Sequence, residues 1–229
     1  MRILAIDTSG TSCSVGILNE RRLAAEVTSE KKQTHSRHLM SLIHTVFKMA
    51  GMPCGDVDLL AVVNGPGSFT GIRIGVSTVQ GLAMALGKPV LSVSSLEALA
   101  VQAGPLQIVI CPILDARKGE VYMALYRYEN DLLTQIQADR VIEPLRLMDQ
   151  IEEPCFFIGS GAQIHGWVIR KRLGGKAILA GQRRSKIRAE TVARIALQKS
   201  EDRPLQKVNP LIPHYVRKSD AEIQAGKKR

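Results

Sequence analysis

Residues 64–75 read NGPGSFTGIRIG and set Gly65, Gly67 and Gly71 between an apolar run and a helical pattern. Backbone amides at a glycine turn and at a helix N-terminus can cradle a phosphate. An aspartate closing the first strand can hold hydrated magnesium, and Asp7 stands there, ahead of the TSGTSC turn. Asp7, Thr8, Gly65, Gly67 and Gly71 are therefore the candidate phosphate-loop residues. The spacing is not GxGxxG, no GKS or GKT follows, and Pro66 removes one amide donor. The alternative is that these glycines serve tight turns and close helix packing, as a vestige of such a loop.

Other chemistry finds less support. Of the histidines His35, His38, His44, His165 and His214, only the first two are close, and no HExxH or HxxxH spacing accompanies them, so no metal site is expected. No serine sits in a GxSxG elbow. Cys13, Cys54, Cys111 and Cys155 lie far apart without a CxxC pair, which argues against a disulfide framework or a zinc ribbon and for a reducing cytoplasm.

The elements that would position these residues follow from periodicity. The apolar run 3–6, the polar turn and SVGIL read as a hairpin with Asp7 at its mouth. The plan recurs with IVICPIL, Asp115, ARKGE and VYMALY, which implies a duplicated fold. Helical spacing over 39–50, with Thr34 or Ser36 as N-cap, gives an apolar arc that includes Met40 and Phe47 and is wider than one core contact needs. Residues 59–63 suit a strand buried on both faces. The spacing then predicts a helix over 71–87 with two faces: Ile72, Val76, Val79, Leu82, Ala83 and Leu86 toward a core, and Ile74, Thr78, Gly81 and Ala85 small or apolar on the other. Met40, Phe47, Ile74, Thr78, Gly81 and Ala85 are the candidate partner surface. Ser94 to Glu97 fits a capping box at the start of a helix over 95–102. Gly104 and Pro105 break the pattern, so a first domain over 1–104 and a second over 105–229 are expected, with a helix over 189–199 and a tail that returns to the first domain or frays.

The 229 residues can bury a sizeable core without staples, and no apolar run approaches the roughly 20 residues of a membrane span. The net charge of +10 is concentrated late: residues 1–104 hold 9 Lys/Arg against 7 Asp/Glu, and residues 105–229 hold 22 against 14. Between Arg170 and Arg188 there is no acid, which makes Arg170, Lys171, Arg172, Arg183 and Arg184 candidate RNA contacts; a solvated basic loop is the alternative. Few aromatics are available for base stacking, so contacts with phosphates are expected.

Taken together, MRILAIDTSGTSCSVGIL, THSRHL, NGPGSFTGIRIGVSTVQGLA, SVSSLEALA, DARKGEVYMALY and PHYVR resemble the TsaB (YeaZ) family. The resemblance implies an actin-like, sugar-kinase-like (ASKHA) duplicated α/β fold of two domains with mixed sheets. It also implies a scaffold subunit of tRNA threonylcarbamoyladenosine (t6A) synthesis, binding a TsaD-type catalytic subunit and a TsaE-type ATPase. ATP and metal would sit on those partners, none on the isolated chain, and the chain alone would form a homodimer. The TsaD-type paralogue carries an HxxxH metal motif where this chain has Ser95 and Leu99, which cannot replace imidazoles. A second departure is Arg37, where an acid is common in the family. The competing expectation is an independent nucleotide hydrolase or kinase using Asp7 and the glycine loop.

Overall fold

A computed structural model describes residues 1–30, 35–202 and 211–217. The first sheet is built from β1 (Arg2–Asp7), β2 (Cys13–Asn19), β3 (Arg22–Ser29), β4 (Leu59–Gly65) and β5 (Val90–Ser94), in the order β3-β2-β1-β4-β5. Between β3 and β4 runs α1 (His35–Ala50); α2 (Phe69–Leu86) joins β4 to β5, and α3 (Ser95–Ala103) follows. The second sheet is built from β6 (Val109–Arg117), β7 (Glu120–Glu129), β8 (Leu132–Ile142), β9 (Cys155–Ile158) and β10 (Ala177–Leu179), in the order β10-β9-β6-β7-β8. Its helices are α4 (Pro144–Met148) and α5 (Ser160–Leu173), and α6 (Ala189–Asp202) comes last.

The two sheets share one plan. Each opens with its central strand, β1 or β6, pairs it antiparallel with the next strand on one side, and adds a parallel strand on the other. Even the turns correspond: Ser9 N donates to Asp7 Oδ1 at 2.9 Å, and Arg117 N donates to Asp115 Oδ1 at 2.8 Å. The duplication read from the two hairpins is thus a property of the whole sheets.

Central strands buried on both faces explain the layering. Along β1, Ile3 and Ala5 face one core and Leu4 and Ile6 another, as the two-residue period of a strand requires. The Leu4 side is covered by α1 and α2. On the Ile3 side, α3 and α6 lie between the two sheets and share a core with both. Beyond the second sheet, α4 and α5 cover Phe157 and Val109. Helix α6, late in sequence, therefore packs on the first sheet: Ala189 N donates to Ser14 Oγ at 3.0 Å and Glu190 N to Glu26 Oε1 at 2.9 Å, which satisfies amides at its start.

Some local expectations are corrected. Helix α2 begins at Phe69, ahead of Gly71, because Ser68 is its N-cap and accepts from Gly71 N. Ser94 accepts from Glu97 N, but the Glu97 carboxylate binds Lys199 Nζ at 2.7 Å, so the reciprocal half of a capping box is replaced by a tie to α6. Thr34 and the Ser36 side chain, offered as caps for α1, lie outside the described residues. By length and mean hydropathy, 1.2 over 18 residues, α2 also reaches the range of a membrane span; core helices do so too, and its Ile72, Val76, Val79 and Ala83 are buried against the first sheet.

Candidate functional site

The candidate phosphate loop is filled by the protein itself. Asp7 and Thr8 are buried, and Asp7 Oδ1 accepts from both the amide and the hydroxyl of Ser9, at 2.9 and 2.6 Å. Thr8 Oγ1 donates to the Gly71 carbonyl at 2.7 Å, and Ser68 N donates to the Ser9 carbonyl at 2.7 Å. The glycine loop therefore lies directly on the β1–β2 turn. A Cβ built on Gly67 would come 2.4 Å from the Ser9 carbonyl oxygen, and one on Gly71 2.0 Å from that of Thr8. These glycines permit contact between two backbones, and the Ser9, Ser68 and Gly71 amides are engaged within the contact. Next to it, the Cys13 thiol is pushed up to about 12 by burial and by the Asp7 charge.

Two further elements hold the loop. The Ser95 hydroxyl, at the start of α3, donates to the Pro66 carbonyl, and Leu99 one turn later is fully buried between the sheets. On the outer side, residues 211–217, in the tail expected either to return to the first domain or to fray, form a strap. His214 N donates to the Asn64 carbonyl at 2.8 Å, and the Tyr215 ring stacks on Phe69 with centroids 4.8 Å apart. Arg73 lies 3.8 Å over Phe69 and donates to the Tyr215 hydroxyl at 2.9 Å. Arg217 then reaches Glu120 in the second domain at 2.9 Å. Phe69 and Arg73 lie one turn apart on α2, but Tyr215 is 142 residues beyond Arg73, and no local pattern announces the cluster.

The candidate partner surface splits by burial. Gly81 and Ala85 are exposed on α2, with nothing within 4 Å of a Cβ at Gly81. Ile74 and Thr78 are half-buried, and Ile74 packs against the first-domain core. Met40 is 55% exposed, but Phe47 is only 7% exposed and belongs to that core, which corrects its assignment to the surface. Helical spacing alone did not separate the two because the apolar arc of α1 is broad. Met84 on α2 and Met49 on α1, 75% and 59% exposed, were both absent from the expected set. Between α1 and α2 lies a groove of about 520 Å³ lined by Met40, Phe47, Cys54 and Leu82.

The basic run does not form one patch. Arg170, Lys171 and Arg172 end α5, on the Phe157 side of the second sheet. Arg184 lies 5.5 Å over Phe156, on the opposite side of that sheet, and donates to the Ala103 carbonyl; Arg183 is exposed next to it. Acids distant in sequence neutralise part of the run: Asp149 binds Arg172 at 2.6 Å, Glu30 binds Lys186 at 2.5 Å, and Glu26 binds Arg188 at 2.7 Å. His165 and His214 lie apart from each other in the fold, the former beside α4 and the latter paired with Asp139 at 3.2 Å. Among the described residues, no group of three or more His, Cys, Asp or Glu is arranged to hold a metal.

Known proteins share this architecture. A family model described as TsaD: tRNA N6-adenosine threonylcarbamoyltransferase matches residues 22–225. The tRNA threonylcarbamoyladenosine biosynthesis protein TsaB of Bacillus subtilis (strain 168) is 34% identical over 227 residues, covering 98% of this chain and 97% of that protein. The chain belongs to the TsaB family. A solved structure described as YeaZ from Pseudomonas aeruginosa superposes with a TM-score of 0.77 at 28% identity, covering 93% of this chain and 99% of that one. A ROK family protein from Streptococcus pneumoniae TIGR4, at 10% identity and a TM-score of 0.52 over 88% of this chain and all of that one, shares the fold alone. The chain thus has the actin-like, sugar-kinase-like fold.

Proposed function

We propose that this chain is the non-catalytic scaffold subunit of tRNA N6-threonylcarbamoyladenosine synthesis, docking on a TsaD-type transferase through α1 and α2. The carrying observation is the hydrogen bond from Ser95 to the Pro66 carbonyl, with Leu99 buried one turn on. Those two positions correspond to metal ligands in the TsaD-type paralogue. Here one fastens the glycine loop and the other fills the core between the sheets, so the place of chemistry is taken by structure. Engagement of the Ser9, Ser68 and Gly71 amides within the fold supports the same reading for the phosphate loop.

The docking reading rests on Met40, exposed at the α1–α2 groove, and on Met84, Gly81 and Ala85, exposed on α2. Large apolar side chains clustered on a surface mark an interface, and small residues let a partner helix approach closely. A specific complex on this surface should bury at least about 1,000 Å². The same surface serves a homodimer when the transferase is absent. A TsaE-type ATPase joins the complex, ATP and metal belong to the partner subunits, and the assembly works on tRNA in the cytoplasm.

Titration of the isolated chain with ATP and magnesium, paired with size-exclusion analysis against the transferase, tests this. The expectation is no turnover and a stable complex that Gly81→Glu disrupts without loss of fold. ATP hydrolysis by the chain alone, or an undisturbed complex in that variant, would overturn it.

A further inference from the structure

Trp167 is the chain's single tryptophan and stands 71% exposed on α5. It borders a groove of about 660 Å³ between α5, the first turn of α4 and Gly119 of the β6–β7 turn. The helical period places Ile164, Trp167, Val168 and Lys171 on one side of α5. Lys171 Nζ lies 4.8 Å from the indole centroid, and Pro144 and Leu145, the latter 58% exposed, form the facing wall. The groove is thus aromatic and apolar within and cationic at its rim.

Its charges are unequal. Glu143 pairs with Arg146 at 3.2 Å, Asp149 with Arg172 at 2.6 Å, and Glu120 with Arg217 at 2.9 Å, while the exposed Asp115 accepts from the Arg117 amide at 2.8 Å. Arg170 and Lys171, in the last turn of α5, make no ion pair among the described residues. These two cations at the end of α5 favour a polyanion. A planar ring at its edge, with a compact apolar recess beside it, suits one unpaired base better than a duplex, whose bases are already stacked.

We propose that this groove binds single-stranded RNA, one unpaired base stacking on the Trp167 indole while Arg170 and Lys171 take the flanking phosphates. The proposal rests on the reading above, in which the complex works on tRNA, and assigns that RNA a surface on the second domain, away from α1 and α2. An acidic protein segment would satisfy the cations equally, but it makes no comparable use of an exposed flat ring.

Because Trp167 is the only indole, intrinsic fluorescence of the full chain reports this groove alone. Titration with a fluorescein-labelled oligouridylate at low salt, followed by anisotropy and by tryptophan emission, should show binding and quenching together. The logarithm of the affinity should fall with the logarithm of salt by about 0.7 per phosphate contact. Trp167→Ala should weaken binding at least about fivefold and Trp167→Phe much less, as stacking requires, while Lys171→Glu should flatten the salt dependence. Binding without quenching, unchanged affinity in Trp167→Ala, equal binding of duplex RNA, equal quenching by polyglutamate, or no binding of either the oligouridylate or an unmodified tRNA would each overturn the proposal. The two readings fail separately: Gly81→Glu should lose the transferase and keep RNA, and Trp167→Ala should do the reverse.

Discussion

A methyl group at residue 71 would meet the Thr8 carbonyl oxygen at 2.0 Å, whereas at residue 81 it would meet nothing within 4 Å. The same substitution in the same helix should therefore have opposite signs. Gly71→Ala should destabilise by about 1–3 kcal/mol through forced backbone separation, and Gly81→Ala should stabilise by up to about 1 kcal/mol from helix propensity; urea unfolding midpoints of the two variants check this. The thiols offer a second residue-scale test. Burial and the Asp7 charge raise the Cys13 pKa to about 12, so at neutral pH almost no thiolate is present there. Burial raises Cys54 too, but it lines the open α1–α2 groove. Cys54 should react first with a thiol reagent in the folded chain, Cys13 should react only on unfolding, and a docked transferase should protect Cys54. Sequence made the glycines conspicuous but left their purpose open, because what a glycine accommodates lies in another segment. For residues 65–71 that other segment is Thr8 and Ser9.

At the scale of elements, legibility followed amphipathicity. The hairpins were readable because β1 and β6 are apolar and close on an aspartate. Strands β3 and β8 were not, since RLAAEVTS and LLTQIQADRVI are edge strands with a polar face and a weak pattern. Helix α5 escaped because SGAQIHGWVIRKRL contains two glycines and only Gly161, Ala162 and Ile169 are buried, so its run of cations dominated the reading. A return of the tail was one of two expectations, but the partners of the strap over 211–217, namely Asn64, Phe69, Arg73 and Glu120, were invisible to any local rule. Tyr215→Ala removes the Phe69 stack and the Arg73 hydrogen bond and should cost about 1–2 kcal/mol, discounted for a ring that is 39% exposed. A drop in the thermal midpoint without loss of helical signal checks that prediction, and no change would mean the strap does not brace the loop.

On the whole-molecule scale, two sheets of one plan enclose α3 and α6, and the faces they leave outward carry different chemistry: exposed methionines on α1 and α2, and cations with a tryptophan on α5. Duplication was legible from the repeated aspartate hairpin, but the return of α6 to the first sheet was not, because only tertiary packing sets it. In the proposed role the chain supports catalysis without performing it. Reconstituted t6A formation tests this most directly, with unmodified tRNA, threonylcarbamoyl-adenylate, the transferase and the ATPase, assayed with and without this chain. The expected outcome is no product from this chain alone, strong product from the full mixture, and loss of that product when Gly81→Glu replaces the natural chain. Product formed by this chain without the transferase, or undiminished product in its absence, would contradict it.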